Sequence, residues 1–166
     1  ALIATIGSTP SFVIDAPGTA WVASGNDTQA PAISSISVAA QTYDLAQAGN
    51  AYMEVGVSYT DNDAGMQYIQ LAFRNENNDS ISFHLGNPFK GTRLDGTVYG
   101  YKKFTTNDKV GTYNLYSFNA RDYSGNQFDG NSSGSGDLKT RYDALIASLG
   151  STPTFEVTLG ETVAQG

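Results

Sequence analysis

The sequence predicts an all-β fold, a β-sandwich of about seven antiparallel strands with one short helix before the last of them. Three observations predict it. Short stretches of strict apolar–polar alternation recur along the chain, the period of a half-buried strand. Clusters of Gly, Pro, Asn and Asp separate them and read as turns. Only one stretch, late in the chain, carries apolar residues at helical spacing. Elements of this kind pack most simply as two sheets laid face to face.

The chain begins with a repeat. Ala1–Ile14 lines up with Ala144–Val157 at a constant offset of 143, with nine of the fourteen positions identical. Four more are conservative exchanges, such as Ile6 for Leu149 and Ser11 for Thr154. A match of this length at one offset reads as tandem duplication. Residues 1–14 are therefore expected to be the tail of a preceding unit, Ala1–Ile6 a helix stub and Ser11–Ile14 a strand. Residues 15–26 read as a linker punctuated by Pro17, Gly18 and Gly25, with Trp21 packing on a flanking domain. The unit proper spans 27–159, and 160–166 start the next linker.

Within the unit the elements follow in order. Pro31 confines the first strand to a sheet edge. Ile33, Ile36 and Val38 give that strand an apolar face with a phase break, the mark of a bulge. Asn50–Tyr59 alternates cleanly, with Met53, Val55, Val57 and Tyr59 on one face and Tyr52, Glu54, Gly56 and Ser58 on the other. Thr60–Gly65 is a turn. Tyr68–Arg74 places Ile69, Leu71 and Phe73 inward, Asn75–Asp79 is a polar turn, and Ile81, Phe83 and Leu85 form the next inward set. Asn87–Gly96 reads as loop and Thr97–Phe104 as a Tyr-rich strand. Thr112–Arg121 is a strand whose inward phase shifts from Tyr113 and Leu115 to Phe118 and Ala120, a second bulge. Asp122–Gly136, rich in Gly, Ser and Asn, reads as loop. Asp137–Leu149 is the helix, with Asp137 as N-cap. Leu138, Tyr142, Leu145, Ile146 and Leu149 form its apolar stripe, and Gly150 is its C′ residue. Thr154–Leu159 closes the unit.

Composition narrows the function. A formal charge of −7 with only nine Lys and Arg leaves too few cations for the basic face that nucleic acid needs. No apolar run approaches the roughly 20 residues of a membrane helix, so membrane insertion is not expected. With no cysteine there are no disulfides and no thiolate metal sites. Catalysis has little to stand on. His84, the sole histidine, lies opposite in phase to Ile81, Phe83 and Leu85 and is expected to face water. No G-x-S-x-G elbow and no H-E-x-x-H motif occurs. The chain is read as a non-enzyme.

Three phrases stand at the edges of the predicted strands: Asp27-Thr-Gln-Ala-Pro31, Tyr59-Thr-Asp-Asn-Asp-Ala-Gly65 and Asp122-Tyr-Ser-Gly-Asn126. In this order and spacing they resemble bacterial immunoglobulin-like repeats, in which the phrases run D-T-x-A-P, T-D-D-x-S-G and D-x-x-G-N. The resemblance covers about residues 27–158. Tyr113, two residues after Gly111, also falls where a corner tyrosine sits in immunoglobulin-like sandwiches. The resemblance implies an immunoglobulin-like sandwich, a secreted or cell-surface setting, and adjacent repeats of the same chain as partners. Similar domains occur in large surface adhesins and beside secreted polysaccharide-degrading enzymes. The long Asp122–Gly136 loop and the helix after it depart from the family pattern.

On a sandwich the three phrases converge. The first strand starts at one pole, the second ends there, the third begins there and the sixth ends there. Asp27, the Asp61-Asn62-Asp63 turn and Asp122 with Asn126 are then neighbours, at the pole where the linker arrives. Carboxylate and amide oxygens gathered this way suit Ca²⁺, which takes roughly 6–8 oxygen ligands. One reading is a calcium site at the interdomain junction, built from Asp27, Asp61, Asp63, Asp122 and Asn126. The other is that these are ordinary turn residues accepting from their own backbone. An EF-hand is not among the readings, because the twelfth loop position counted from Asp61 falls on Ala72. Tyr99 and Tyr101 share one face of a strand and, with Tyr123, offer rings on which sugars can stack, although strand tyrosines also serve simply to cover a sheet. Two functions follow: a spacer repeat of a large adhesin-like protein, or a carbohydrate- or peptide-binding module.

Overall fold

The computed structural model describes residues 26–47, 51–86 and 89–160. The expectations for residues 1–14, for Trp21 and the linker before Asn26, and for 161–166 lie outside the described residues.

The described residues form ten strands and one α-helix: β1 Ala32–Val38, β2 Thr42–Asp44, β3 Tyr52–Thr60, β4 Met66–Arg74, β5 Ser80–Leu85, β6 Phe89–Gly91, β7 Asp95–Lys103, β8 Gly111–Asp122, β9 Gln127–Asn131, α1 Asp137–Leu149 and β10 Thr154–Thr158. They form two sheets. One has the order β1-β3-β7-β6; the other has β2-β10-β8-β4-β5, with β9 paired to β8 beyond the reach of β10. With β2 and β9 set aside and the rest lettered in chain order, the first sheet is A-B-E-D and the second G-F-C with a C′ edge. That is the strand order of an immunoglobulin-like sandwich.

The core lies where the alternation placed it. Met53, Val55, Val57 and Tyr59 of β3 face Ile69, Leu71 and Phe73 of β4 and Phe83 and Leu85 of β5, all buried. At the start of β8 the Tyr113 hydroxyl donates to the Lys109 carbonyl at 3.0 Å, tying the strand back to the corner it has just turned. Both phase breaks are bulges. β1 slips register against β3 between Ile33 and Ser35. β8 slips against β4 opposite Ala72 and Phe73, so Tyr116 is the extra residue and inward facing passes from Leu115 to Phe118.

Four local expectations need correction. Asn87–Gly96 is not all loop, since it contains β6. Asp122–Gly136 likewise contains β9, whose Gly130 faces inward; a Cβ there would lie 2.5 Å from the Phe118 ring and 2.8 Å from the backbone nitrogen of Tyr142. The glycine thus lets α1 lie directly on β9. The N-cap is Gly136 rather than Asp137, with no side-chain cap. The Thr140 N–H donates to the Gly136 carbonyl instead. Leu138 is exposed, while Tyr142 and Leu145 carry the buried face of α1. At the other end Gly150 is left-handed, φ 82°, and donates to Ile146 as a C-terminal glycine should.

The registers fix two poles. Asp122 at the end of β8 pairs with Met66 at the start of β4, and Thr60 pairs with Asp95. Asp27 joins this N-terminal pole through its carbonyl, which accepts from the Asn126 side chain. Gly111, at the other end of β8, pairs with Val157 of β10. At that C-terminal pole the Gly160 N–H donates to Asp44 Oδ1 at 2.7 Å. The length of β8 separates the two poles by roughly 36 Å at about 3.3 Å per residue.

Candidate metal centre

Three loops meet at the N-terminal pole, and each presents an Asp. Asp27 lies just ahead of β1. Its Oδ1 accepts from the Gln29 N–H at 2.9 Å, and its Oδ2 reaches across to the Ala64 N–H at 2.7 Å. Asp61 opens the β3–β4 turn, where its Oδ1 accepts from the Asp63 and Gly65 N–H groups at 3.1 and 2.6 Å. Gly65 at φ 72° is what allows the chain to fold back under that carboxylate. Asp122 ends β8 and is fully buried; its Oδ1 accepts from the Asn126 N–H at 2.8 Å and its Oδ2 from the Asn126 Nδ2 at 2.7 Å. The same Nδ2 donates to the Asp27 carbonyl at 3.0 Å.

The turn chemistry expected of these residues is therefore present at each of them. Two features exceed it. First, Asp27, Asp61 and Asp122 each bring one carboxylate oxygen into a group whose members lie within 4.8 Å of one another. Secondly, Asp61 Oδ2 is shut off from solvent and has no hydrogen-bond partner. Its second oxygen is thus a desolvated acceptor with nothing to accept from, a state that costs free energy unless a cation or proton meets it. Burial pushes the Asp61 carboxyl above the usual carboxylate range. The Gly65 and Asp63 N–H groups oppose the rise, and the negative charges of Asp27 and Asp122 add to it.

Not all five expected residues join the group in the same way. Asp63 enters through its backbone N–H, and its carboxylate stands outside the group of three. Asn126 enters as a donor: its Nδ2 clamps Asp122 to Asp27, so it serves as a brace between loops. Arg93 also lies at this pole. It donates from Nη1 to the Met66 carbonyl at 3.1 Å, and its guanidinium lies 5.0 Å from the centre of the Tyr123 ring. Nothing in the sequence around Arg93 marks it, because its placement depends on β6 and β7 pairing.

Tyr99 and Tyr101 share one face of β7, as alternation placed them, but Tyr123 lies apart from both. Tyr99 lies against Gly56, where an added Cβ would sit 3.3 Å from its ring. Tyr101 pairs with Glu54 on the outer face of the same sheet and is 60% exposed. Tyr123 is at the N-terminal pole with Arg93. The exposed neighbour of Tyr101 is Tyr52, which register and alternation put on that face. His84 is exposed as expected, its ring tilted by 32° against Tyr68 with ring centres 4.9 Å apart. Among the described residues, no helix is long and apolar enough to cross a membrane.

Compared with known protein families, curated proteins and solved structures, the chain matches none.

Proposed function

We propose that the chain is a structural repeat of a large secreted or cell-surface bacterial protein of adhesin type, with units strung pole to pole and a calcium ion stiffening each N-terminal pole. One observation carries the spacer reading: the backbone enters at Asp27 and leaves at Gly160 at opposite ends of the sandwich. A unit built this way adds its full length to an array, whereas adjacent termini would fold the array back on itself. The duplicated Ala1–Ile14 and Ala144–Val157 segments support an array in the first place.

The calcium reading rests on the orphaned Asp61 Oδ2 among three converging carboxylates. Asp27, Asp61 and Asp122 would hold the ion, and backbone carbonyls and water would complete a shell of roughly 6–8 oxygens. The ion would neutralise the mutual repulsion of the three charges. It would also lock the segment before β1 to the β3–β4 and β8–β9 turns, so the incoming linker and the sandwich would move as one. Thermal melts in calcium and in chelator test it. At a calcium concentration about 100 times Kd the gain is about 2.7 kcal/mol, which for a domain of this size raises the midpoint on the order of 10 °C. An unchanged midpoint over millimolar calcium would rule the ion out and leave a pole held by turn chemistry alone.

A further inference from the structure

The structure shows what each position of the second repeat copy does, and the first copy can be compared with it residue by residue. In the second copy, Leu145 of α1 and Phe155 and Val157 of β10 are the buried residues. Gly150 carries the left-handed turn, and the Pro153 carbonyl accepts from the Leu115 N–H as the chain comes into β10. β10 then fills the slot between β2 and β8, Thr154 opposite Asn114 and Val157 opposite Gly111. In sequence, Leu2, Phe12 and Ile14 are the equivalents of those three buried residues, Gly7 is the equivalent of Gly150 and Pro10 of Pro153. The single unlike pair is Val13 for Glu156, and Glu156 is exposed. The residues that β10 buries, Phe155 and Val157, therefore have apolar equivalents in the first copy, while its last residue, Thr158, is matched by Asp15.

We propose that residues 1–14 are a second working closing element, able to fill the β2–β8 slot of a second copy of this chain when that copy's own β10 is displaced. The inference rests on the tandem-repeat reading above, and it does not depend on the calcium site.

Reach decides between a second copy and the chain's own slot. With Ile14 in the place of Val157, the chain must return from the C-terminal pole to Asp27 at the other pole, thirteen residues away. Thirteen residues span at most about 47 Å. The strands alone take up roughly 36 Å of that, before any path around the edge of the sheet. Self-filling uses at least about three-quarters of the linker's full reach, while a second molecule imposes no such limit. In the intact chain the attached β10 wins by effective concentration, so the exchange shows only when β10 is weakened.

The test uses the full chain and crosses Phe155→Asp with Phe12→Asp. Phe155→Asp puts a carboxylate where a buried ring stacks on Tyr113 and drives the native β10 from its slot. The expected result is a folded species of twice the chain mass whose midpoint falls on dilution. Adding Phe12→Asp should abolish both the dimer and the fold, while Phe12→Asp alone should leave mass and midpoint at wild-type values. A Phe155→Asp chain that is unfolded, or folded and unaffected by Phe12→Asp, overturns the proposal. A covalent trap gives a second readout. The chain has no cysteine, so Ser11→Cys with Asn114→Cys creates a single pair, at the positions equivalent to the Thr154–Asn114 contact. In the Phe155→Asp background it should yield a disulfide-linked dimer under oxidation; a chain that stays monomeric overturns the proposal. Failure here leaves the array and calcium readings intact, and a melt indifferent to calcium leaves this one intact.

Discussion

The two poles of this sandwich are closed by different physics. At the C-terminal pole the closure is aromatic. Phe155 stacks on Tyr113 with ring centres 5.2 Å apart, Tyr43 packs edge-on against Phe155, and Tyr43 lies 4.9 Å from Phe104. At the N-terminal pole three carboxylates meet, and one buried oxygen among them has no partner. Apolar packing is non-directional and nearly indifferent to ions and protons. A carboxylate cluster depends on both. The two ends of the domain should therefore differ in how far ions and protons change their stability.

Three substitutions sharpen that contrast. The largest loss belongs to Phe104→Ala at the aromatic pole. Phe104 is fully buried against Tyr43, and emptying such a site costs about 3–5 kcal/mol; the loss, read from urea melts, should be the same in calcium and in chelator. Asn126→Ala at the opposite pole should cost about 2 kcal/mol, because the buried Asp122 carboxylate loses a charge-assisted donor and Asp27 loses its tie to the β8–β9 turn. That cost should depend on calcium, and equal losses with and without the ion would erase the distinction between the poles. Asp61→Asn has the smallest effect and the opposite sign. It removes the orphaned charge and puts a donor beside two carboxylates, so in chelator the midpoint should rise by a few degrees while the calcium response disappears.

The pH dependence belongs to the same comparison. Asp61 titrates above the usual carboxylate range in the folded chain, so the fold takes up this proton before the unfolded chain does. The stability it contributes is full below the ordinary carboxylate pKa and is lost as pH rises through the elevated value. In chelator, Asp61→Asn should flatten that part of the stability profile.

Much of the fold is legible in the sequence because a half-buried strand of nine residues repeats its pattern four times, as β3 and β4 do. The bulges at Ser34 and Tyr116 are legible for the same reason, since an inserted residue flips the phase and the flip is visible. β2 and β6 hold three residues each, too few to show a period. β9 alternates, but its inward partner to Phe128 is Gly130, which has no side chain to betray the face. The convergence of Asp27, Asp61 and Asp122 follows from strand order alone and is legible. Whether Asp63 and Asn126 present oxygen or N–H to that centre depends on how each turn closes, which residue type does not reveal.

The opposite placement of Asp27 and Gly160 has a mechanical consequence. A pull between these ends runs along the strands. The N-terminal side then draws β1 lengthwise past β3, to which it is paired from Ala32↔Thr60 to Val38↔Val55. The C-terminal side draws β10 past β8 and β2. Hydrogen bonds between strands lie across that direction, so those of each ladder bear load together rather than opening one after another like a zip. The domain meets tension in shear, the orientation in which a small sheet yields last.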